Sequence, residues 1–362
     1  MVGFSMVFFL PLWGHPPLQD YGGKAWAPGS FGDARKGRPL TTAGHFGVIY
    51  RLLGDLDWMH NHFKCRLAAG ANLPCCFDDG NRGDMPFLDL RPGAAWTTTL
   101  KTPPCPAPDH PVFTVPGASL FCVSIDEMHT VDLGVLQELA GSILWTLVYD
   151  NPTLEGNAEK KLDIVWGRIR ALYEEQRTQT RMANLTLQMF CNPKAYSVQF
   201  PSLSAHAAET RALFPILAQI CSDCNVARVQ DVTRLKCAVL FMRLNTIMRG
   251  AGMFLSEETH KKVMETCWEA LAAYMSLSQY YASKGFKVYN VVNKHHMLVH
   301  ICLQSRHINP KVLTCYSYED LVGRMQRVAM KCTTGLSLLK LSATLMTKYQ
   351  LSLLNAWRRL LR

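Results

Sequence analysis

Carboxylates at the ends of apolar runs are placed for metal chemistry, and this chain has three. Asp55 and Asp57 follow Phe46-Gly47-Val48-Ile49-Tyr50-Arg51-Leu52-Leu53, and Asp126 follows Ser119 to Ile125. Both runs have the β-branched and aromatic character of a buried strand. A strand fixes the backbone, and a side chain just past its end emerges where loops leave room for a substrate. Two or three such carboxylates suit Mg²⁺, a hard cation that prefers oxygen ligands. A pair of ions there would activate water and stabilise the leaving oxygen in phosphodiester cleavage. The blander role of an Asp after a strand is to cap a turn or helix, and it carries more weight for each residue alone.

A fourth acid stands out by its surroundings. Between Ala270 and Arg362 there are 13 Lys and Arg but only two acids, Glu319 and Asp320, side by side. They are either ion-paired with their basic neighbours or aimed at a site whose cationic rim holds nucleic-acid phosphates.

Two further groups invite a metal reading and are weighed separately. His296 and His300 are four residues apart on an expected helix and share one face, as zinc-binding pairs do. Their neighbours Met297, Leu298 and Val299 favour packed, partly buried imidazoles instead. Cys75 and Cys76, with Asp78 and Asp79 close behind, would make half of a metal site without a clear second half. His129, taken with His296 and His300, would be the basis of a different metalloenzyme.

The elements that must position these groups are strands first and helices after. Residues 14–47 and 70–117 are rich in Gly and Pro and read as irregular. A helix is expected to begin near Trp58 to Lys64. Helical patterning then predicts helices over 132–149, 157–182, 204–224, 229–249, 256–284, 290–304, 317–331 and 336–361. Thirteen cysteines in 362 residues, without a regular framework, suit reduced thiols of the cytosol or nucleus. The apolar start, Met1 to Trp13, lacks the basic region of a signal peptide, and no other segment is expected to span a membrane.

Charge is polarised along the chain. Residues 1–233 hold 19 Lys and Arg against 22 acids, a net −3, whereas residues 234–362 hold 19 against 6, a net +13. A basic half of this kind suits a polyanion partner. No phosphate-binding glycine loop, dinucleotide fingerprint or Gly-x-Ser-x-Gly elbow occurs, which removes the main support for kinase, nucleotide-hydrolase and serine-hydrolase readings.

Several stretches together resemble one family. They are Phe46 to Trp58, Pro74-Cys75-Cys76, Ala94-Ala95-Trp96, His110-Pro111-Val112-Phe113, Pro116 to His129, Asp132-Leu133-Gly134-Val135, Asn290 to His300 and Tyr318-Glu319-Asp320-Leu321. The chain is similar over residues 40–350 to transposase-like proteins of protist genomes. Those in turn resemble the Kyakuja-Dileera-Zisupton, CACTA and hAT groups of cut-and-paste elements. The most specific piece is Asp126-x-x-His129.

The resemblance implies an α+β, mainly α-helical fold, with a partial RNase H-like α/β core and a large helical insertion. Its expected divisions are an irregular segment over 1–45, the partial core over 46–130, the insertion over 131–314 and C-terminal helices over 315–362. It implies catalytic roles for Asp55 or Asp57, Asp126, His129 and Glu319, with Mg²⁺ on Asp55, Asp126 and Glu319 if the site is active. The implied partners are DNA, through the basic half, and a second copy of the chain; the implied compartment is the nucleus, or the cytoplasm if DNA is not bound. For the first catalytic Asp only Asp20 and Asp33 are available, both in Gly/Pro-rich sequence, and no DNA-binding finger precedes the core. Relatives tend to carry Cys-x-x-Cys where this chain has Cys75-Cys76-Phe77-Asp78. The expectation is therefore a transposase-derived, catalytically degenerate protein, with a non-catalytic helical scaffold as the alternative.

Overall fold

In the computed structural model, a pair of three-residue strands forms the root of a mainly helical structure. The structure describes residues 51–330 apart from 69, 101–108 and 115–117, together with 24–30, 33–34, 36–38, 340, 344 and 347–351. The calls on Met1 to Trp13, Asp20 and residues 46–50 lie outside the described residues, as does most of 336–361.

Strand β1 (Leu52–Gly54) pairs in parallel with β2 (Val123–Ile125), with Leu52 opposite Val123 and Gly54 opposite Ile125. Each strand passes straight into a helix. Asp55 caps α1 (Leu56–Asn61), its carboxylate accepting from the Trp58 amide at 2.6 Å. After β2 the chain enters α2 (Met128–Asp150), which widens to π-helical turns at both ends. By length and composition α2 could cross a membrane, which sequence reading overlooked. In the fold 83% of its apolar window is buried, as befits a core helix.

The other helices pack around α2: α3 (Ala158–Glu175), α4 (Ala207–Asp223), α5 (Val229–Gly250), α6 (Glu257–Ser283) and α7 (Asn293–Gln304). α5 and α6 run against each other along their length, and α7 packs on β2, α6 and the first turns of α2. Leu139, Ile143, Trp145, Tyr173, Tyr274 and Tyr289 fill the centre, each less than 3% exposed. Gly141 of α2 admits a close approach: a Cβ there would lie 2.7 Å from the Ser202 Cα. That approach lets the Leu203 amide bond to the Gln137 carbonyl at 3.0 Å.

Sequence patterning placed these helices well, with one informative miss. The helix expected over 157–182 stops at Glu175. Arg177 adopts φ 50°, its amide bonds to the Glu174 carbonyl, and the Thr178 amide reaches back to the Tyr173 carbonyl at 3.0 Å. This is a Schellman stop made without glycine.

The described residues form two compact units that divide between Thr314 and Cys315. The smaller contains α8 (Tyr316–Met330), which buries none of its side chains. Glu319 is exposed in its first turn, and Asp320 pairs with Arg324 at 2.5 Å.

Candidate metal centre

The irregular stretch after α1 is the least regular part of the larger unit and one of its best buried. Cys75, Cys76, Phe77, Asp78, Phe87, Leu90, Ala94 and Trp96 are all under 9% exposed. Short local bonds hold it in place of a ladder. The Phe77 amide bonds to Cys75 Sγ at 3.3 Å, the Asp79 amide to Thr99 Oγ1 at 2.9 Å, and Trp96 Nε1 to the Asp89 carbonyl at 2.7 Å. The Gly80 amide holds Asp78 Oδ1 at 2.8 Å. With one oxygen engaged by backbone, the other is turned inward.

That second oxygen meets α7. Asp78 Oδ2 lies 2.7 Å from His300 Nε2 and 3.0 Å from His296 Nε2, and the two ring nitrogens are 3.2 Å apart. Cys75 Sγ lies 3.3 Å from His300 Nε2. All four donor atoms fall within 4.8 Å of one another, and all four residues are buried. The i, i+4 spacing puts both imidazoles on one helix face. Trp96 then stands edge-on against both rings, with centroids 4.4 Å from His296 and 5.7 Å from His300, while Phe87 and Phe77 close the flanks.

Hydrogen bonding alone cannot satisfy this arrangement. Each Nε2 has one direction for a proton or lone pair, yet His300 Nε2 has three heavy atoms within 3.3 Å. A cation at the centre satisfies all four at once. One thiolate, one carboxylate and two imidazoles are a donor set for Zn²⁺, not for Mg²⁺. Tetrahedral bonds of about 2.0–2.3 Å set ligand atoms roughly 3.3–3.8 Å apart, so an ion enters with shifts of a few tenths of an ångström.

The electrostatics point the same way. Burial pushes Asp78 up, but the His296 and His300 side chains outweigh it and hold the carboxyl well below its ordinary range. Burial raises the Cys75 thiol well above its usual value, and the Asp78 charge adds to this. Burial lowers His300 despite Asp78 beside it. Ionised Asp78 and neutral imidazole are the forms that bind metal, and a cation would draw the proton from Cys75. His296 Nδ1 is buried with no hydrogen-bond partner among the described residues, so aromatic walls orient that ring.

The sequence-predicted acids lie elsewhere. Continuing the β1–β2 register past Gly54 and Ile125 sets Asp55 beside Asp126 at the carboxyl ends of two parallel strands. Asp126 Oδ2 accepts from the His129 amide at 2.9 Å and lies 2.5 Å from His129 Nδ1. Both aspartates therefore act as helix caps, the blander role foreseen for them. Asp57 is exposed in the first turn of α1. Glu319 belongs to the smaller unit. Mg²⁺ finds no support in the donor cluster that the larger unit assembles, which is the cysteine–aspartate–histidine one. The sequence contained both halves of that cluster, and nothing in the spacing said that 222 residues of chain close between Asp78 and His300.

Comparisons with protein-family models, with curated proteins and with solved structures return no match.

Proposed function

We propose that this chain is a transposase-derived, DNA-associated nuclear protein of RNase H-like ancestry that has lost strand cleavage, its fold closed by a structural zinc ion on Cys75, Asp78, His296 and His300. The observation that carries the reading is the parallel register that sets Asp55 beside Asp126, each at the mouth of a following helix. Neighbouring strand ends of this kind are where a phosphoryl-transfer site gathers its acids. The Asp126–His129 contact joins the two residues of the motif on which the family resemblance rests. Zinc bound by four buried protein donors has no open position for water, so its role is structural.

DNA would be held by charge. The outer face of α5 exposes Lys236 and Arg243 seven residues apart, with Arg249 beyond them, and α6 exposes Lys261 and Lys262. The test is binding to a random-sequence duplex across a salt series, with and without Mg²⁺. Affinity should fall linearly on a log–log plot as phosphate counterions are released. Lys236→Ala with Arg243→Ala should weaken binding and flatten that slope, while no Mg²⁺-dependent nicking appears. Absence of binding at low salt would refute the reading; nicking lost on Asp126→Ala would overturn only the loss of cleavage.

A second reading, a homo-oligomeric scaffold, is favoured by Val229, Val232 and Val239, three large apolar side chains exposed along α5. A concentration-independent monomer by light scattering would dismiss it.

A further inference from the structure

One cation already stands at the acidic end of the sheet. Lys294 lies in the first turn of α7, and its side chain runs over α2 at Gly134. A Cβ at Gly134 would overlap Lys294 Cδ, so glycine provides the channel for the lysine stem. The ammonium donates to the Leu133 carbonyl at 2.7 Å. Leu133 has φ −94° and ψ 17° inside α2, a departure from helical geometry at the residue whose carbonyl the lysine takes. Glu138, Asp57, Asp55 and Asp126 all act on this ammonium, offsetting the burial that pulls its pKa down.

A lysine in the first turn faces the positive end of its own helix dipole, which disfavours it unless acids answer it. Here the acids belong to three other elements. The carboxylate that follows Asp126 is treated likewise: Glu127 is 1% exposed and pairs with Lys311 at 2.6 Å.

We propose that Lys294 is a tethered cation that neutralises Asp55, Asp57 and Asp126 and so keeps the carboxyl ends of β1 and β2 closed to divalent metal ions. The lysine brings one charge that is already part of the fold. A hydrated Mg²⁺ would have to shed water reluctantly and then sit against that fixed ammonium. This deepens the reading of a cleavage site that no longer works and rests on it only for ancestry; the geometry stands without it.

The experiment reads metal binding directly, with no DNA present. Zinc-loaded wild type and variants are titrated with Mn²⁺, and unbound Mn²⁺ is followed by electron paramagnetic resonance. Wild type should leave Mn²⁺ free. Lys294→Met should bind one Mn²⁺ per chain at least about tenfold more tightly than wild type, a gain of roughly 1.4 kcal/mol. Adding Asp126→Asn should abolish that binding, and Lys294→Arg, which keeps a cation, should behave as wild type. Gly134→Ala, which displaces the stem without touching the charge, should show a partial gain. Wild-type Mn²⁺ binding that Asp126→Asn removes would overturn the proposal, as would a folded Lys294→Met with no gain. A Lys294→Met chain that folds only when Mn²⁺ is added supports it, and one that Mn²⁺ does not rescue counts against it. Since DNA affinity does not enter, failure here is separable from failure of the DNA reading.

Discussion

Two polar clusters meet α7 two residues apart in sequence, on opposite sides of the helix. His296 and His300 face the irregular 70–100 stretch, where Asp78 and Cys75 converge on them. Lys294, about 200° round the helix from His296, faces the acids at the ends of β1 and β2. Both clusters gather negative or potentially negative groups in a partly dry place. They differ in where the positive charge comes from. Around Asp55 and Asp126 the chain provides an ammonium. Around Asp78 and Cys75 it provides only neutral imidazoles, and four donors aimed at one point are left to be satisfied from outside. A buried anionic site without a counter-ion of its own is costly, and a bound metal is the usual remedy.

The sharpest way to break this comparison is to remove the outside cation. Purified protein should carry one zinc per chain by elemental analysis. A strong chelator should lower the melting temperature by more than about 10 °C, the shift that roughly 3–5 kcal/mol gives in a domain of this size. Protein free of zinc, with a melting temperature indifferent to chelator, would put the centre out of consideration. The identity of the third donor can then be sharpened. Asp78→Cys should retain zinc and hold it more tightly, since thiolate suits the ion better than carboxylate. Asp78→Ala should lose zinc, leaving Cys75 and two imidazoles. A competition titration against a chromophoric chelator ranks the three proteins.

A third cluster shows what an internal counter-ion is worth when both partners are buried. Asp231 and Arg234 are each 0% exposed and lie 2.9 Å apart on α5, and Asp231 also meets Arg228 at 2.6 Å. Arg228 in turn pairs with Asp150, which accepts from the Tyr281 hydroxyl at 2.9 Å. Asp231→Ala would strand the Arg234 guanidinium in the core. The expected loss is about 3–5 kcal/mol by denaturant unfolding, the usual penalty for a buried charge left without its partner. A loss under about 1 kcal/mol would mean that Arg234 finds another partner or water.

Much of the helical part was legible because helices are local. The patterning over 229–249 and 256–284 matched α5 and α6 within a residue at each end, helped by the cap at Ser256, whose hydroxyl accepts from the Thr259 amide. The stop at Arg177 was not legible, since a left-handed arginine leaves no compositional mark. The stretch 70–117 was read correctly as irregular and incorrectly as lacking a fixed role. Irregular backbone becomes rigid when side chains such as Trp96 and Asp78 are buried against another element, and that burial is a long-range fact. The metal centre failed to show for the same reason. Cys75, Asp78, His296 and His300 were each noted, but a donor pair and its complement more than 200 residues apart leave no spacing signature. The acids of Asp55 and Asp126 were placed at strand ends because the strands announce themselves. Lys294, lost among the cations of the basic half, gave no sign of pointing at them.

The smallest effect separates capping from charge at the acidic end. Asp55 performs two tasks: its Oδ1 accepts from the Trp58 amide at 2.6 Å, and its charge acts on Lys294. Asp55→Asn keeps a side-chain oxygen for the amide and removes only the charge. If Lys294 is balanced by several acids in common, losing one should cost little, about 0.5 kcal/mol or less at an exposed-to-intermediate site. Asp55→Ala removes the cap as well and should cost about 1 kcal/mol. The difference between the two, measured by urea unfolding, is the worth of the cap to the short helix α1. In the Lys294→Met background the order should change: with no ammonium to answer, Asp55→Asn should become neutral or stabilising, because it relieves repulsion with Asp126 and Asp57. A cycle in which the Asn substitution costs the same in both backgrounds would show that Asp55 is a cap and nothing more.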